Sequence, residues 1–79
     1  MKKNIQMPKL SEQMETAVLA AWNKEAGDMV KKGDVLFEIE TEKVVSEVES
    51  MESGVLEEIF FEAGDEIKVD EIIAVINCD

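Results

Sequence analysis

The chain has 79 residues, of which 46% are hydrophobic and 34% charged, and its net charge is −11. That is the length of one small domain with a thin core, and the hydrophobic fraction argues against disorder despite the charge. Eight lysines, no arginine and 19 carboxylates argue against the basic footprint that nucleic acid or an anionic membrane surface requires, and favour basic protein partners.

The start, MKKNIQMPKL, has two lysines but no apolar run behind them, so it is not a secretory signal. No stretch of about 18 apolar residues occurs that could span a membrane as a helix. A first strand is predicted near residues 3–7 and a second near 17–23. Glu-Ala-Gly-Asp at 25–28 is a turn, followed by a short strand near 29–31 and a second turn at Lys32-Gly33-Asp34. Residues 35–41 alternate as a strand, with Val35, Phe37 and Ile39 facing in and Leu36 and Glu38 facing out. Further strands are predicted near 44–49, 55–61, 66–68 and 72–77. The pieces are short and rich in Val and Ile, and none shows a long 3.6-residue period with caps. The expectation is an all-β flattened barrel or sandwich of about eight short strands, with residues 1–79 as one domain. Cys78 is the one cysteine, so no disulfide forms within the chain; this fits a reducing, cytoplasmic compartment. The chain has no histidine to activate that thiol, to act as general base or to bind metal, and no metal site is expected.

The chain repeats itself. Val18 to Glu42 aligns without gaps on Val55 to Asp79, an offset of 37 residues, with eight of 25 positions identical, including Glu-Ala-Gly-Asp at 25–28 and 62–65. Two copies are too few for a solenoid, so a quasi-twofold pair sharing one core is expected. Gly27 and Gly64 are expected to hold positive φ at equivalent turns. Trp22 aligns with Ile59 and reads as structural, and the methionines at 7, 14, 29 and 51 read as core and loop packing.

Lys43 sits where the two units join. It is the one basic residue between Lys32 and Lys68, against twelve acidic ones. With the preceding strand ending near Thr41 and the next beginning near Val44, Glu42 and Lys43 become the central residues of a tight hairpin. Pairing Thr41 with Val44 puts Phe37 opposite Val48, both inward, and Glu38 opposite Glu47, both outward. Neither central residue suits positive φ, which favours a type I turn. A catalytic lysine is a poor fit, because Glu40 and Glu42 favour its charged form. An exposed attachment point and a plain solvated turn lysine both suit the geometry.

Met7-Pro8-Lys9-Leu10-Ser11, Met14, Trp22, Ala26-Gly27-Asp28, Lys32-Gly33-Asp34, Glu38-Ile39-Glu40-Thr41-Glu42-Lys43 and Gly54-Val55-Leu56 resemble, in order and spacing, the lipoyl domains of dihydrolipoyl acyltransferases. The resemblance runs from about Ile5 to Ile76. It implies two quasi-symmetric four-stranded antiparallel sheets in a barrel-sandwich hybrid, with lipoic acid in amide linkage on Lys43 at a hairpin tip. The domain is then a non-catalytic swinging arm. A thiamine-diphosphate-dependent 2-oxo-acid dehydrogenase acylates it, an acyltransferase core passes the acyl group to coenzyme A, and dihydrolipoyl dehydrogenase reoxidises it; the cofactor carries the chemistry. Glu40, Thr41, Glu42 and Val44 are then read by a lipoate-protein ligase and the decarboxylase. The loop from Ser11 to Thr16 is expected to lie beside the tip and aid recognition, through Ser11, Glu12, Gln13 and Met14. The isolated domain is expected to be monomeric. The chain departs from the family in having Glu42 before the lysine, where Asp is usual, Ala17 where Gly is frequent, and Asp70 opposite Gly33. A biotin carrier shares the architecture but flanks its lysine with methionines, whereas Glu42 and Val44 stand here. An unmodified barrel-sandwich interaction domain is the rival from another class. The Met7 to Met14 segment is more similar to pyruvate or acetoin dehydrogenase acyltransferases than to the 2-oxoglutarate type.

Overall fold

A computed structural model describes residues 1–10, 12–42 and 44–78. Eight strands follow in order: β1 Lys2–Gln6, β2 Thr16–Trp22, β3 Met29–Val30, β4 Val35–Glu40, β5 Val45–Glu49, β6 Gly54–Ile59, β7 Glu66–Lys68 and β8 Ile72–Asn77. They form two antiparallel four-stranded sheets, β1-β8-β6-β3 (sheet A) and β5-β4-β2-β7 (sheet B). The short third strand of each repeat leaves its own unit: β3 pairs with β6, and β7 with β2. Each half therefore completes the other's sheet.

The quasi-twofold relation holds to the residue. Val18 pairs with Glu40 as Val55 pairs with Asn77, and Ala17 pairs with Ile67 as Gly54 pairs with Val30. The outer strands β1 and β5 correspond too, since Asn4 opposes Val75 as Glu47 opposes Glu38. Even the bulges repeat. The register slips at Ala20 in β2 and at Glu57 in β6, and again at Leu36 in β4 and Ile73 in β8.

The core lies between the sheets and is built from equivalent pairs: Leu19 and Leu56, Val30 and Ile67, Leu36 and Ile73, Phe37 and Ala74, Ile39 and Ile76, all buried. Leu36 departs from the alternation expected for this strand. The bulge between Val35 and Phe37 puts two consecutive residues on the inner side, and Leu36 is fully buried beside Phe37. Trp22 seals one end of the core. Its ring lies 5.0 Å from that of Phe37, and its Nε1 donates to the Phe61 carbonyl oxygen at 3.0 Å. Met7 and Met14 are buried as expected, but Met29, on the two-residue edge strand, and Met51, in a loop, are exposed.

Four turns of one kind close the units. In each, the fourth residue's N–H donates to the first residue's carbonyl, as in Asp28 to Glu25 (3.0 Å) and Asp65 to Glu62 (3.1 Å), and the third residue has positive φ. Gly27 and Gly64 hold φ of 97° and 101°, as expected. The Asp28 and Asp65 carboxylates each accept the N–H at the head of the turn at 2.8 Å. Gly33, with φ 96°, has Asp70 as its counterpart, and Asp70 carries φ 73° without being glycine.

Two substitutions test these constraints. A Cβ on Gly54 would overlap the Asn77 carbonyl oxygen across the β6–β8 pair. Gly54→Ala is expected to cost about 2–3 kcal/mol in chemical denaturation. Asp70→Gly relieves a left-handed backbone and is expected to raise stability by up to ~1 kcal/mol, the gain being limited by glycine's unfolded-state entropy.

Candidate functional site

The β4–β5 hairpin builds the site. Phe37 opposes Val48, Glu38 opposes Glu47, Ile39 opposes Ser46 and Glu40 opposes Val45, which is the register expected from the sequence. Beyond Glu40 the Thr41 N–H donates to the Val44 carbonyl at 2.9 Å, and the Thr41 hydroxyl reaches the same oxygen at 3.4 Å. Glu42 and Lys43 lie between these two residues in the sequence. Among the described residues Asp70 is the one non-glycine with positive φ, so Glu42 does not start a primed turn, which requires positive φ there. Glu42 is exposed, and Val44 is 55% exposed. Lys43 itself, expected as the attachment point, lies outside the described residues, as does Ser11.

The connection from β1 to β2 runs beside this tip. Its ends are equivalent to those of the β5–β6 connection, Met7 to Ser50 and Ala17 to Gly54, yet it is six residues longer: ten steps against four. The extra length forms one wall of an open groove of about 890 Å³. Leu10, Gln13, Met14 and Thr16 line that wall, and Thr41 and Glu42 line the other. Met14 anchors the loop by burying its side chain, and its sulfur accepts the Leu10 N–H at 3.3 Å. The Val69 N–H, donating to the Glu15 carbonyl at 3.0 Å, ties the loop's far end to β7. Glu12 is exposed and does not line the groove. Of the expected recognition residues, the structure thus brings Gln13 and Met14 together with Glu40, Thr41, Glu42 and Val44.

Leu10, Val18 and Glu66 also line the groove and were not singled out from the sequence. Glu66 comes from β7, which reaches β2 only through the exchange of third strands. The β3–β6 and β7–β2 pairings were the missing signal, and the repeat alone did not reveal them.

Carboxylates dominate the electrostatics. Glu15, Glu40, Glu42 and Glu66 border the groove, and no described lysine lines it. The two ion pairs among the described residues, Lys2 with Glu57 at 2.7 Å and Lys24 with Asp34 at 3.7 Å, involve none of its lining. Lys2 has its pKa raised by the hydrogen bond and charge of Glu57. Among the described residues no three His, Cys, Asp or Glu side chains come together as metal ligands. The arrangement suits presentation of a group at an exposed tip, flanked by a surface that a partner can read.

Residues 3–76 match a family described as "Biotin-requiring enzyme". The chain is 42% identical to the dihydrolipoyllysine-residue succinyltransferase component of the 2-oxoglutarate dehydrogenase complex of Bacillus subtilis, over 92% of this chain and 18% of that protein. It is 49% identical to the dihydrolipoyllysine-residue acetyltransferase component of the pyruvate dehydrogenase complex of Rhizobium meliloti, over 92% of this chain and 17% of that protein. The chain therefore spans less than a fifth of the length of these curated relatives. Among solved structures, the lipoyl domain of the 2-oxoglutarate dehydrogenase complex from Azotobacter vinelandii superposes with a TM-score of 0.79 at 32% identity, covering 94% of both chains.

Because Met14 pins the groove wall, Met14→Ala is expected to destabilise the domain by about 2–3 kcal/mol. Hydrogen exchange should quicken first at residues 9–15; an increase spread evenly over all strands would show that Met14 serves the whole core and not the loop.

Proposed function

This chain belongs to the biotin and lipoyl attachment family, and within it to the lipoyl domains, and on that premise we propose that Lys43 carries lipoate in amide linkage. The domain is then the swinging arm of a 2-oxo-acid dehydrogenase complex. Lipoate supplies the acyl-carrying chemistry. The chain's own residues present it, and tethering raises its effective concentration at each active site. One observation carries the reading: Thr41 and Val44, the residues on either side of Glu42 and Lys43 in the sequence, are hydrogen-bonded to each other, and Glu42 between them is exposed.

The partners implied are a lipoate-protein ligase, a thiamine-diphosphate-dependent 2-oxo-acid dehydrogenase, an acyltransferase core and dihydrolipoyl dehydrogenase. Glu40, Thr41, Glu42, Val44 and the Ser11 to Met14 segment form the surface they read. Residues 1–79 act as one carrier unit, monomeric by itself, and the lone thiol at Cys78 agrees with a reducing, cytoplasmic setting. The sequence resemblance leans toward pyruvate or acetoin. The similar proteins include acyltransferases of both pyruvate and 2-oxoglutarate complexes, so the proposal extends to 2-oxo acids as a class. Biotin is the second reading, because the matched family takes its description from it; Glu42 and Val44 in place of flanking methionines oppose it.

The test is intact mass with peptide mapping after incubation with lipoate ligase, ATP and lipoate, and in parallel with biotin ligase and biotin. One lipoyl increment on Lys43 is expected, and none from biotin ligase. Lys43→Ala is expected to abolish the increment with a native circular dichroism spectrum and a stability change within about 0.5 kcal/mol. No increment on the folded wild type would make this an unmodified scaffold. Glu42→Met with Val44→Met is expected to gain biotinylation; its failure to do so would move the discrimination away from the flanking residues.

A further inference from the structure

The duplication supplies an internal control for the surface. The outward positions of β4 and β5 in sheet B have counterparts on sheet A with the same register. On sheet B, Glu38, Glu40, Glu47, Glu49 and Glu66 point outward, with Lys68 the one outward cation on these strands. Their counterparts on sheet A are Val75, Asn77, Asn4, Gln6 and Met29, none of them charged. The fold is satisfied by neutral residues at these positions, so it does not require the carboxylates. Sheet A does carry Glu57 and Glu58, where sheet B has Ala20 and Ala21, but Lys2 pairs with Glu57 at 2.7 Å. On sheet B, Glu38 and Glu47 face each other directly across two strands, an arrangement that destabilises a sheet. Between the carboxylates, Val18, Ala20 and Ala21 leave a small apolar strip along β2.

We propose that the outer face of sheet B is a docking surface for a basic protein surface, that of the dehydrogenase which charges the arm; this rests on the carrier reading above. Charge complementarity selects the occupant. Phosphate backbones and anionic lipid are repelled, whereas lysine and arginine side chains can rim a contact whose centre is the apolar strip. The face belongs to the same hairpin as the tip, so docking there presents the tip to the partner in one orientation and leaves sheet A outward. Rim charges raise the association rate more than they prolong the complex, which suits a carrier that must dock and leave repeatedly.

The test exchanges the two faces at constant net charge, combining Glu38→Gln, Glu47→Asn and Glu49→Gln with Asn4→Glu, Gln6→Glu and Met29→Glu. Wild-type and exchanged domains are lipoylated and offered to the thiamine-dependent components of the pyruvate and 2-oxoglutarate dehydrogenase complexes, and reductive acylation is followed as a function of salt. The exchanged domain is expected to accept lipoate like wild type. Its KM for the enzyme that acylates wild type is expected to rise about tenfold at low salt with kcat little changed, and the salt dependence of kcat/KM to flatten. Glu38→Gln with Glu47→Asn alone is expected to raise KM while raising the melting temperature by ~2 °C, because the facing charges are removed. That split also keeps the proposal testable if the six-residue exchange does not fold. An unchanged KM and salt dependence in either variant overturns the docking face. A folded wild type that takes no lipoate, or is acylated by neither enzyme, overturns the carrier reading, and the docking face falls with it.

Discussion

The structure depends on the exchange of third strands between two copies of one unit. A unit of about 37 residues contributes four strands and cannot cover its own apolar face. By sending β3 to β6 and β7 to β2, each half closes the other's sheet, and the two inner faces then bury one core of paired positions. In a chain this small, neither half can fold alone to any depth. The same exchange brings Glu66 to the edge of the groove beside the hairpin tip. The site therefore inherits its position from the solution to the core problem.

Where the two halves agree, the fold explains the residue. The bulges at Ala20 and Glu57 and at Leu36 and Ile73, the paired aspartate turns and the paired Leu19 and Leu56 all serve closure and packing. Met7 and Ser50 show how much the chemistry can differ while the geometry stays. The Met7 N–H donates to the Glu71 carbonyl at 2.9 Å as the Ser50 N–H donates to that of Asp34 at 2.7 Å. Both residues are buried, one filling space and the other satisfied by hydrogen bonds between its hydroxyl and the Glu52 backbone.

Much of this was legible in the sequence, and for physical reasons. The strand spans followed from alternation and turn residues, and the β4–β5 register followed from requiring Phe37 and Val48 inside together. The positive φ of Gly27 and Gly64 followed from a repeated Ala-Gly-Asp. The exceptions are all non-local. A bulge buries Leu36 by adding one residue to a strand, which a strict period of two cannot register. Met29 is exposed because its two-residue strand lies at a sheet edge, which only the pairing with β6 reveals. At the site, the closure of Thr41 on Val44 was readable from the strand register, whereas Leu10, Val18 and Glu66 reach the groove through tertiary pairing.

Several differences between the two halves lie on one side of the molecule. The Thr41 to Val44 bond has a counterpart in the Cys78 N–H, which donates to the Met1 carbonyl at 2.7 Å. The loop beside the β4–β5 hairpin is six residues longer than its equivalent. The sheet that carries it bears five outward glutamates at positions neutral in the other. Loop length and charge differ between the halves beside the β4–β5 hairpin and on the sheet behind it, which is the side where the attachment point is proposed.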